Sequence, residues 1–588
     1  MVMQSGGRAI DQQFAAFLCR LSAPEPDPVL WLVTVLLSQA VGRGDICLDT
    51  VALAGREFGV GDGGAGPVRI PDAGALRAVL LQSGVVSSSA EAHPFAPLVL
   101  DDAGRLYLYR YWQYERRVVA SIRRRSAEPG GMSAADPLAA EVLERLFPDD
   151  GSGIPDLQKV AARVALERRF LVVSGGPGTG KSSTVVRILG LLLAVGQQGR
   201  QRLVMAAPTG KAAVRLQCSV NGYRDRLELG AELRDAVPDE VLTVQRLLGV
   251  RRGSMRFRYH AGNPLPYDTV VVDEASMVAL PLMAALLDAL RPDARLILLG
   301  DKEQLASVEP GAVLGDVCEA ALSGCCASLS ASFVVLERNY RFRSGSGIGG
   351  ISGLLNAGKG REALRMLADP ASESLAWRDI PEPGALRAAL VQPVLEGYRA
   401  ALQATTAREA LEAFDRFRIL VALREGPYGV AGINAMVASI LAEAGLISLS
   451  SPRYRGCPVM VTENDYGIRL FNGDTGMLFP DPERDGRLSA FFIGGDGALR
   501  RVVPERLPAH ETGWCITVHK SQGSEFDHVL LLLPREGSEL MTRELLYTGM
   551  TRAKEGVTVW GGEASFLEAV GKRIMRVSGL RDGLCGRA

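Results

Sequence analysis

Residues 170–182, FLVVSGGPGTGKS, join a short β-branched run to a glycine-rich loop ending in Lys181 and Ser182, after which a helical pattern begins. This is the phosphate loop G-x-x-x-x-G-K-[ST] in full. It constrains the fold, because such a loop works at the carboxyl end of a buried strand with a helix N-terminus behind it. The same theme recurs in RLVMAAPTG (202–210), TVVVDEAS (269–276), RLILLGD (295–301), RILVAL (418–423), CITVHKSQG (515–523), HVLLLLP (528–534) and GVTVWGG (556–562). Short apolar runs closed by polar, glycine-containing loops read as buried parallel strands joined by helical crossovers. The expected class is α/β with two parallel sheets.

The chain has 588 residues, a length that suits roughly four folding units. Residues 1–130 have another texture, mainly helical, with an alternating RLYLYRYW stretch (105–112) and a basic run from Glu115 to Arg125. The run EPGGMSAADP (128–137) reads as a linker, and the linker is expected over 131–150. A first α/β domain follows over 151–345, and a second is split between 346–455 and 511–588. Between its halves, residues 456–510 are punctuated by NDYG, FNGDTG, ERDG and GGDG, which predicts a small all-β, barrel-like insert.

Lys plus Arg equals Asp plus Glu at 66 each, which excludes a globally basic sleeve and leaves any anionic partner to local patches. Nine scattered cysteines without a C-x-x-C pair suggest neither a disulfide framework nor a metal cluster, and fit a reducing cytosol. The most apolar early stretch, Val29 to Val41, is shorter than the roughly 20 residues a bilayer span needs and carries Thr34, Ser38 and Gln39. It reads as a buried helix, and no membrane partner is expected.

In the loop, Gly175, Gly176, Pro177, Gly178, Thr179 and Gly180 turn backbone N–H groups toward phosphates, while Lys181 reaches the β/γ-phosphates. The Ser182 hydroxyl suits Mg²⁺, and Ser183 adjoins it. Asp273 and Glu274 directly follow a strand, where one carboxylate can hold Mg²⁺ and the next can polarise a water. That pairing points to hydrolysis. Gln304, in LLGDKEQLASVEPG (298–311), is placed to sense a γ-phosphate, with Asp301 ordering the loop. Arg341 and Arg552 have guanidinium groups suited to the charge of phosphoryl transfer, and a solvated surface charge is the other reading of each. The amide of Gln158 can pair with the N6/N7 edge of adenine.

With these motifs, NYRF (339–342), VHKSQGSEF (518–526) and YTGMTRAK (547–554) in this order, the chain resembles the superfamily 1 DNA helicases of the 5′→3′ branch. Within that branch it is similar to the RecD family, the α subunits of exodeoxyribonuclease V. The supporting stretches are QKVAARVAL (158–166), APTGKAAVRL (207–216), LGDKEQLASVEPGAVLGD (299–316), LFNGDTG (470–476) and LYLYRYWQYERRV (106–118). The resemblance covers about residues 95–565 and implies two RecA-like motor domains closing on ATP. It implies ATP contacts from Gln158, Gly178, Gly180, Lys181, Ser182, Asp273, Glu274, Gln304, Arg341 and Arg552, with Glu525 on the ribose. DNA contacts are implied for Pro208, Thr209 and Lys211 on one motor and for Thr517, His519 and Lys520 on the other; a core histidine is the other reading of His519.

In RRGSMRFRYH (251–260), Arg251, Arg252, Arg256 and Arg258 alternate with Phe257 and Tyr259 in an expected basic hairpin over about 245–268. Phosphate contact and base stacking on single-stranded DNA suit this pattern, and a solvated hairpin is the alternative. Gln245 stands where the family often has His. Residues 1–150 lack the Gly-x-Gly helix-hairpin-helix signature of longer stand-alone relatives. The resemblance therefore implies a bacterial cytoplasmic subunit that acts on single- and double-stranded DNA ends beside RecB-like and RecC-like subunits in a heterotrimer, with the nuclease in a partner. The remaining readings are a stand-alone helicase and an assembly subunit that binds ATP without unwinding.

Overall fold

The computed structural model describes the chain except residues 1–2, 5–7, 23–26, 60–66, 150, 152–154, 197–200, 227–229, 252–253, 255, 342–346, 466, 495–496 and 588. Its first motor is a six-stranded parallel sheet in the spatial order Val241–Thr243, Leu203–Ala207, Thr269–Val272, Arg295–Gly300, Phe170–Gly175, Phe333–Leu336. Because side chains alternate across a strand, Phe170, Val172, Val270, Val272, Leu296 and Leu298 enter one core, and Leu171, Val173, Val271, Ile297 and Leu299 enter another on the opposite face. Both faces are covered, which is why these strands read as unbroken apolar runs. The second motor repeats the plan in five parallel strands, ordered Leu375–Asp379, Ala553–Gly561, Phe526–Leu532, Phe417–Val421, Cys515–Thr517.

The insert is all-β, in the order Leu499–Val502, Leu488–Ile493, Thr475–Pro480, Pro458–Val461, His510–Thr512, each neighbour antiparallel. Among the described residues no ladder joins its two edge strands. The sheet is therefore open, where a barrel-like closure was expected.

The N-terminal region has its own core under the helices Ala9–Leu21, Pro28–Gly42 and Ala73–Gln82. A four-stranded sheet of Cys47–Asp49, Arg105–Leu108, Leu98–Leu100 and Val86–Ser88 completes it, so the region is more mixed than its helical texture suggests. Its last helix, Tyr109–Ala127, departs from the expected boundary at 130. Tyr111, Val118 and Ile122 enter the first motor's core, and Arg125, buried at the helix end, donates to the carbonyls of Arg291 (2.8 Å) and Ala294 (2.5 Å). The linker expected over 131–150 is largely structured as well. Asp136 caps the helix Pro137–Leu146, which puts Ala139, Val142, Leu143 and Leu146 into the other core of the same sheet.

The end of the chain also departs from the expected domain 511–588. After the helix Glu563–Gly571, the chain leaves the second motor and runs back over the first. Arg576 donates to the carbonyls of Glu309 (2.9 Å) and Gly311 (2.8 Å), and Val577 N–H donates to Asp45 (2.9 Å). Leu580 and Leu584 join the first motor's core, and Cys325 is disulfide-bonded to Cys585. A separation of 260 residues hid that pair from sequence reading.

Under this strap, Glu115 accepts from Gly579 N–H (2.9 Å) and Tyr107 hydroxyl (3.2 Å), and Asp316 accepts from Ser578 hydroxyl (2.7 Å). Burial pushes both carboxyls up to about 7. The native chain therefore keeps protons that the unfolded chain has released once pH exceeds the ordinary carboxyl range. Stability contributed here is fully present below that range, falls as pH rises to about 7, and is level above it. Urea denaturation across this range is expected to show the decline, and Glu115→Gln to lessen it, the Asp316 contribution remaining. An unchanged pH dependence in Glu115→Gln would show that this acid does not titrate as described.

Candidate active site between the two motors

The phosphate loop follows the strand Phe170–Gly175 and opens the helix Lys181–Val195. Gly178 and Gly180 hold φ of 81° and 82°, in the left-handed region. Space requires glycine there too, since a Cβ at Gly178 would lie 2.5 Å from that of Arg341, and one at Gly180 would lie 2.6 Å from Gln158 Nε2. Lys181 Nζ donates to the carbonyls of Gly175 (2.5 Å) and Gly176 (3.0 Å). Gln158 is buried, its Nε2 donating to Thr179 O and its Oε1 accepting from Arg187, each at 3.4 Å.

Asp273 and Glu274 follow the strand Thr269–Val272. Asp273 Oδ1 accepts from the Glu274 N–H at 2.8 Å, and Glu274 adopts φ of 49°, a strained conformation for a non-glycine residue. Desolvation pushes the Asp273 carboxyl up to about 6, reinforced by the charge of Glu274 and opposed by Lys181. In the next loop, Gln304 Nε2 donates to Asp301 at 3.3 Å, while its buried Oε1 has no partner among the described residues. That oxygen is free to accept from a water or ligand in the cleft.

The second motor closes the other wall. Tyr547 hydroxyl donates to Asp301 (2.8 Å), Leu305 N–H donates to Thr548 Oγ1 (3.0 Å), and Gln522 Nε2 donates to Leu305 O (3.0 Å). Arg552 is buried and donates to the carbonyls of Thr548 and Ser524, both at 3.2 Å. Arg341 comes after the edge strand Phe333–Leu336 of the first sheet and pairs at 2.6 Å with Glu525, which precedes the second motor's strand Phe526–Leu532. The cleft encloses about 1420 Å³ and gathers Gln158, Lys181, Ser182, Ser183, Asp273, Glu274, Gln304, Arg341, Glu525 and Arg552. Cationic and acidic side chains from both motors thus line one cleft.

The expected DNA contacts divide. Pro208, Thr209 and Lys211 lie where the strand Leu203–Ala207 passes into the helix Gly210–Arg224, which Thr209 caps through the Ala212 N–H (3.2 Å). The insert comes to rest there, because a Cβ on Gly210 would lie 2.3 Å from Phe471 Cβ. Burial lowers the Lys211 pKa, against the charges of Asp415 and Asp474. In the second motor, Thr517 Oγ1 accepts from Lys520 N–H (3.2 Å), and Lys520 pairs with Glu511 (2.5 Å). His519 is half-buried, and burial lowers its pKa, followed by the charge of Arg576.

Arg251, Arg256 and Arg258 are exposed, and Arg252 lies outside the described residues. Phe257 and Tyr259, expected to stack on bases, are half-buried against the first motor's core. The described part of this segment forms a loop bonded to Leu248 and Gly249, with a single bridge between His260 and Asn263, in place of the expected hairpin. Sequence reading also gave no role to Arg187, Arg215 or Tyr547; the last two lie inside the quoted stretches APTGKAAVRL and YTGMTRAK, but all three are on helices, where nothing local shows which way a side chain points.

Three family models match: "AAA domain" over residues 158–310, "UvrD-like helicase C-terminal domain" over 512–560, and "RecBCD enzyme subunit RecD, N-terminal domain" over 5–107. The RecBCD enzyme subunit RecD of Mycolicibacterium smegmatis is 40% identical over 567 residues, 96% of this chain and 95% of that protein. The chain belongs to the RecD family. RecD of Haemophilus influenzae is 35% identical, across 81% of this chain and 80% of its own length. The ATP-dependent RecD2 DNA helicase of Deinococcus radiodurans is 30% identical, across 77% of this chain and 54% of its own length.

For this RecD-family chain, Lys181→Ala and Glu274→Gln are each expected to abolish DNA-stimulated ATP hydrolysis. Nucleotide affinity should survive better in Glu274→Gln, which keeps the loop and its ammonium. A coupled ATPase assay beside fluorescent-nucleotide titration checks both, and wild-type turnover in either variant would remove that residue from the site.

Proposed function

We propose that this RecD-family helicase moves 5′→3′ on single-stranded DNA, as a subunit beside RecB-like and RecC-like partners that works at double-strand DNA ends in the bacterial cytoplasm. The carrying observation is that one cleft draws Lys181, Asp273 and Glu274 from one motor and Glu525 and Arg552 from the other. A protein that held ATP only as a structural ligand would have no use for a strained acid beside a half-buried aspartate on the cleft wall. The extent of the match to RecD subunits favours the subunit reading over a stand-alone one.

The residues suit Mg²⁺: Ser182 and Asp273 both face the cleft, and the cost of charging the enclosed Asp273 is one that a divalent cation relieves. Among the described residues no cluster of three or more His, Cys, Asp or Glu forms a metal site, so a cation here depends on the nucleotide's phosphates for further ligands. When bound, Mg²⁺ supplies charge neutralisation to the β- and γ-phosphates. Lys181 and the loop amides hold the phosphates, Glu274 polarises the attacking water, and Gln304 orients it. Arg341 and Arg552 meet the charge that develops on the transferring group, while Gln158 reads adenine and Glu525 holds the ribose. Closure of the cleft is relayed to Pro208, Thr209 and Lys211 on one motor and Thr517, His519 and Lys520 on the other. These grip DNA alternately with each cycle, and the exposed arginines of 251–258 extend that track.

No helix among the described residues is long and apolar enough to cross a membrane. The helix Ala9–Leu21 instead exposes Ile10, Phe17 and Leu21 along one side, which supports partner docking by the N-terminal region. Aspartate at all three positions is expected to reduce co-purification with the two partners at least tenfold while ATP hydrolysis by the isolated chain persists.

Alanine at both Arg341 and Arg552 is expected to lower kcat by roughly 10³ to 10⁵ with folding intact. A loss below about tenfold would contradict their role. Polarity is tested by strand displacement on 5′-tailed and 3′-tailed duplexes, with the nuclease of the partner inactivated. Unwinding confined to the 5′-tailed substrate, and lost with Lys181→Ala, is the expected result. Dependence on a 3′ tail would overturn the reading.

A further inference from the structure

Arg215 lies on the helix Gly210–Arg224 of the first motor, whose Arg215, Ser219 and Tyr223, spaced by four, form one wall of the cleft. Its Nη2 pairs with Glu525 Oε1, the same oxygen that Arg341 Nη1 reaches at 2.6 Å. One carboxylate oxygen of the second motor thus sits between two guanidinium groups of the first. Two guanidinium groups converging on one anionic oxygen is also the coordination a phosphoryl oxygen takes. Arg215 is close enough to Asp273 for its charge to favour that carboxylate, and close enough to Arg552 to disfavour that cation. It therefore faces the part of the cleft where the acid pair of one motor meets the arginine of the other.

Resting on the reading of this cleft as an ATP site, we propose that Arg215 is a further phosphate-sensing residue that distinguishes ATP from ADP. Glu525 Oε1 and the γ-phosphate compete for Arg215 and Arg341. With ATP in the cleft, the γ-phosphate takes both arginines, and Glu525 is released to turn toward the ribose. With ADP, no third phosphate competes, and Glu525 keeps them. The exchange ties the grip of the two motors on each other to the number of phosphates, and no bond is made or broken in it.

The test compares the affinities of a non-hydrolysable ATP analogue and of ADP, each with Mg²⁺, for the full-length chain by titration calorimetry. Arg215→Ala is expected to weaken the analogue roughly 10- to 100-fold, the size of a lost charge-assisted contact, and ADP less than about twofold. Arg215→Lys, which keeps the charge and loses the fork, should fall between. Glu525→Gln removes the competing charge and should raise the preference for the analogue over ADP; the ratio cancels any ribose contact, which both nucleotides share. Equal weakening of both nucleotides in Arg215→Ala would reduce Arg215 to a structural tie between the motors. An unchanged preference in that variant or in Glu525→Gln would overturn the competition. Failure of the wild-type chain to bind either nucleotide would instead count against the ATP-site reading itself.

Discussion

The cleft forms where the carboxyl ends of the first sheet's strands face the segments that lead into the second motor's strands Phe526–Leu532 and Ala553–Gly561, and that facing depends on hydrogen bonds between buried groups. Tyr547 donates to Asp301, Thr548 accepts from Leu305, and Gln522 donates back to Leu305. These join the loop carrying Gln304 to the segments carrying Arg552 and Glu525. Asp301 is itself enclosed, its carboxyl raised by desolvation and held down by Lys181 and Tyr547. A buried acceptor left without its donor costs about 1–3 kcal/mol, so this contact tightly specifies one relative placement of the motors.

That placement is supported from outside by both ends of the chain. The helix Tyr109–Ala127 and the strap 573–587 cover the same face of the first sheet, so the N-terminal region is fused to the motor through a continuous core. The loop 307–311, which continues from the Gln304 segment, is held through its carbonyls by Arg576. The same guanidinium bears on His519, at the expected DNA-contacting end of the second motor. The strap therefore lies beside both the Gln304 loop and the His519 segment, the two places where nucleotide and DNA contacts are expected.

The alternating strands were legible because burial on both faces leaves a plain signature, an unbroken apolar run closed by glycine. The positions of Asp273 and Glu274 were legible because they directly follow such a run, and that of Lys181 because the complete phosphate-loop pattern joins a strand end to a helix start. Arg215 was not, because a helix carries its side chains to a site by tertiary packing, and nothing local separates an arginine facing a cleft from one facing solvent. The same reasoning covers the misjudged segments. EPGGMSAADP reads as a linker, yet Asp136 caps a helix from which Ala139, Val142, Leu143 and Leu146 meet a core that exists only after the sheet has formed. Phe257 and Tyr259 read as stacking platforms beside arginines, and packing turned them inward.

The account rests on one nucleotide being held by both motors at once. Hydrogen–deuterium exchange of the full chain, with and without a non-hydrolysable ATP analogue and Mg²⁺, tests this most directly. The account predicts slowed exchange at residues 176–183 and, in the same titration and with the same midpoint, at 522–526 and 547–552. Protection confined to 176–183, with the second motor's segments unchanged at saturation, would contradict it.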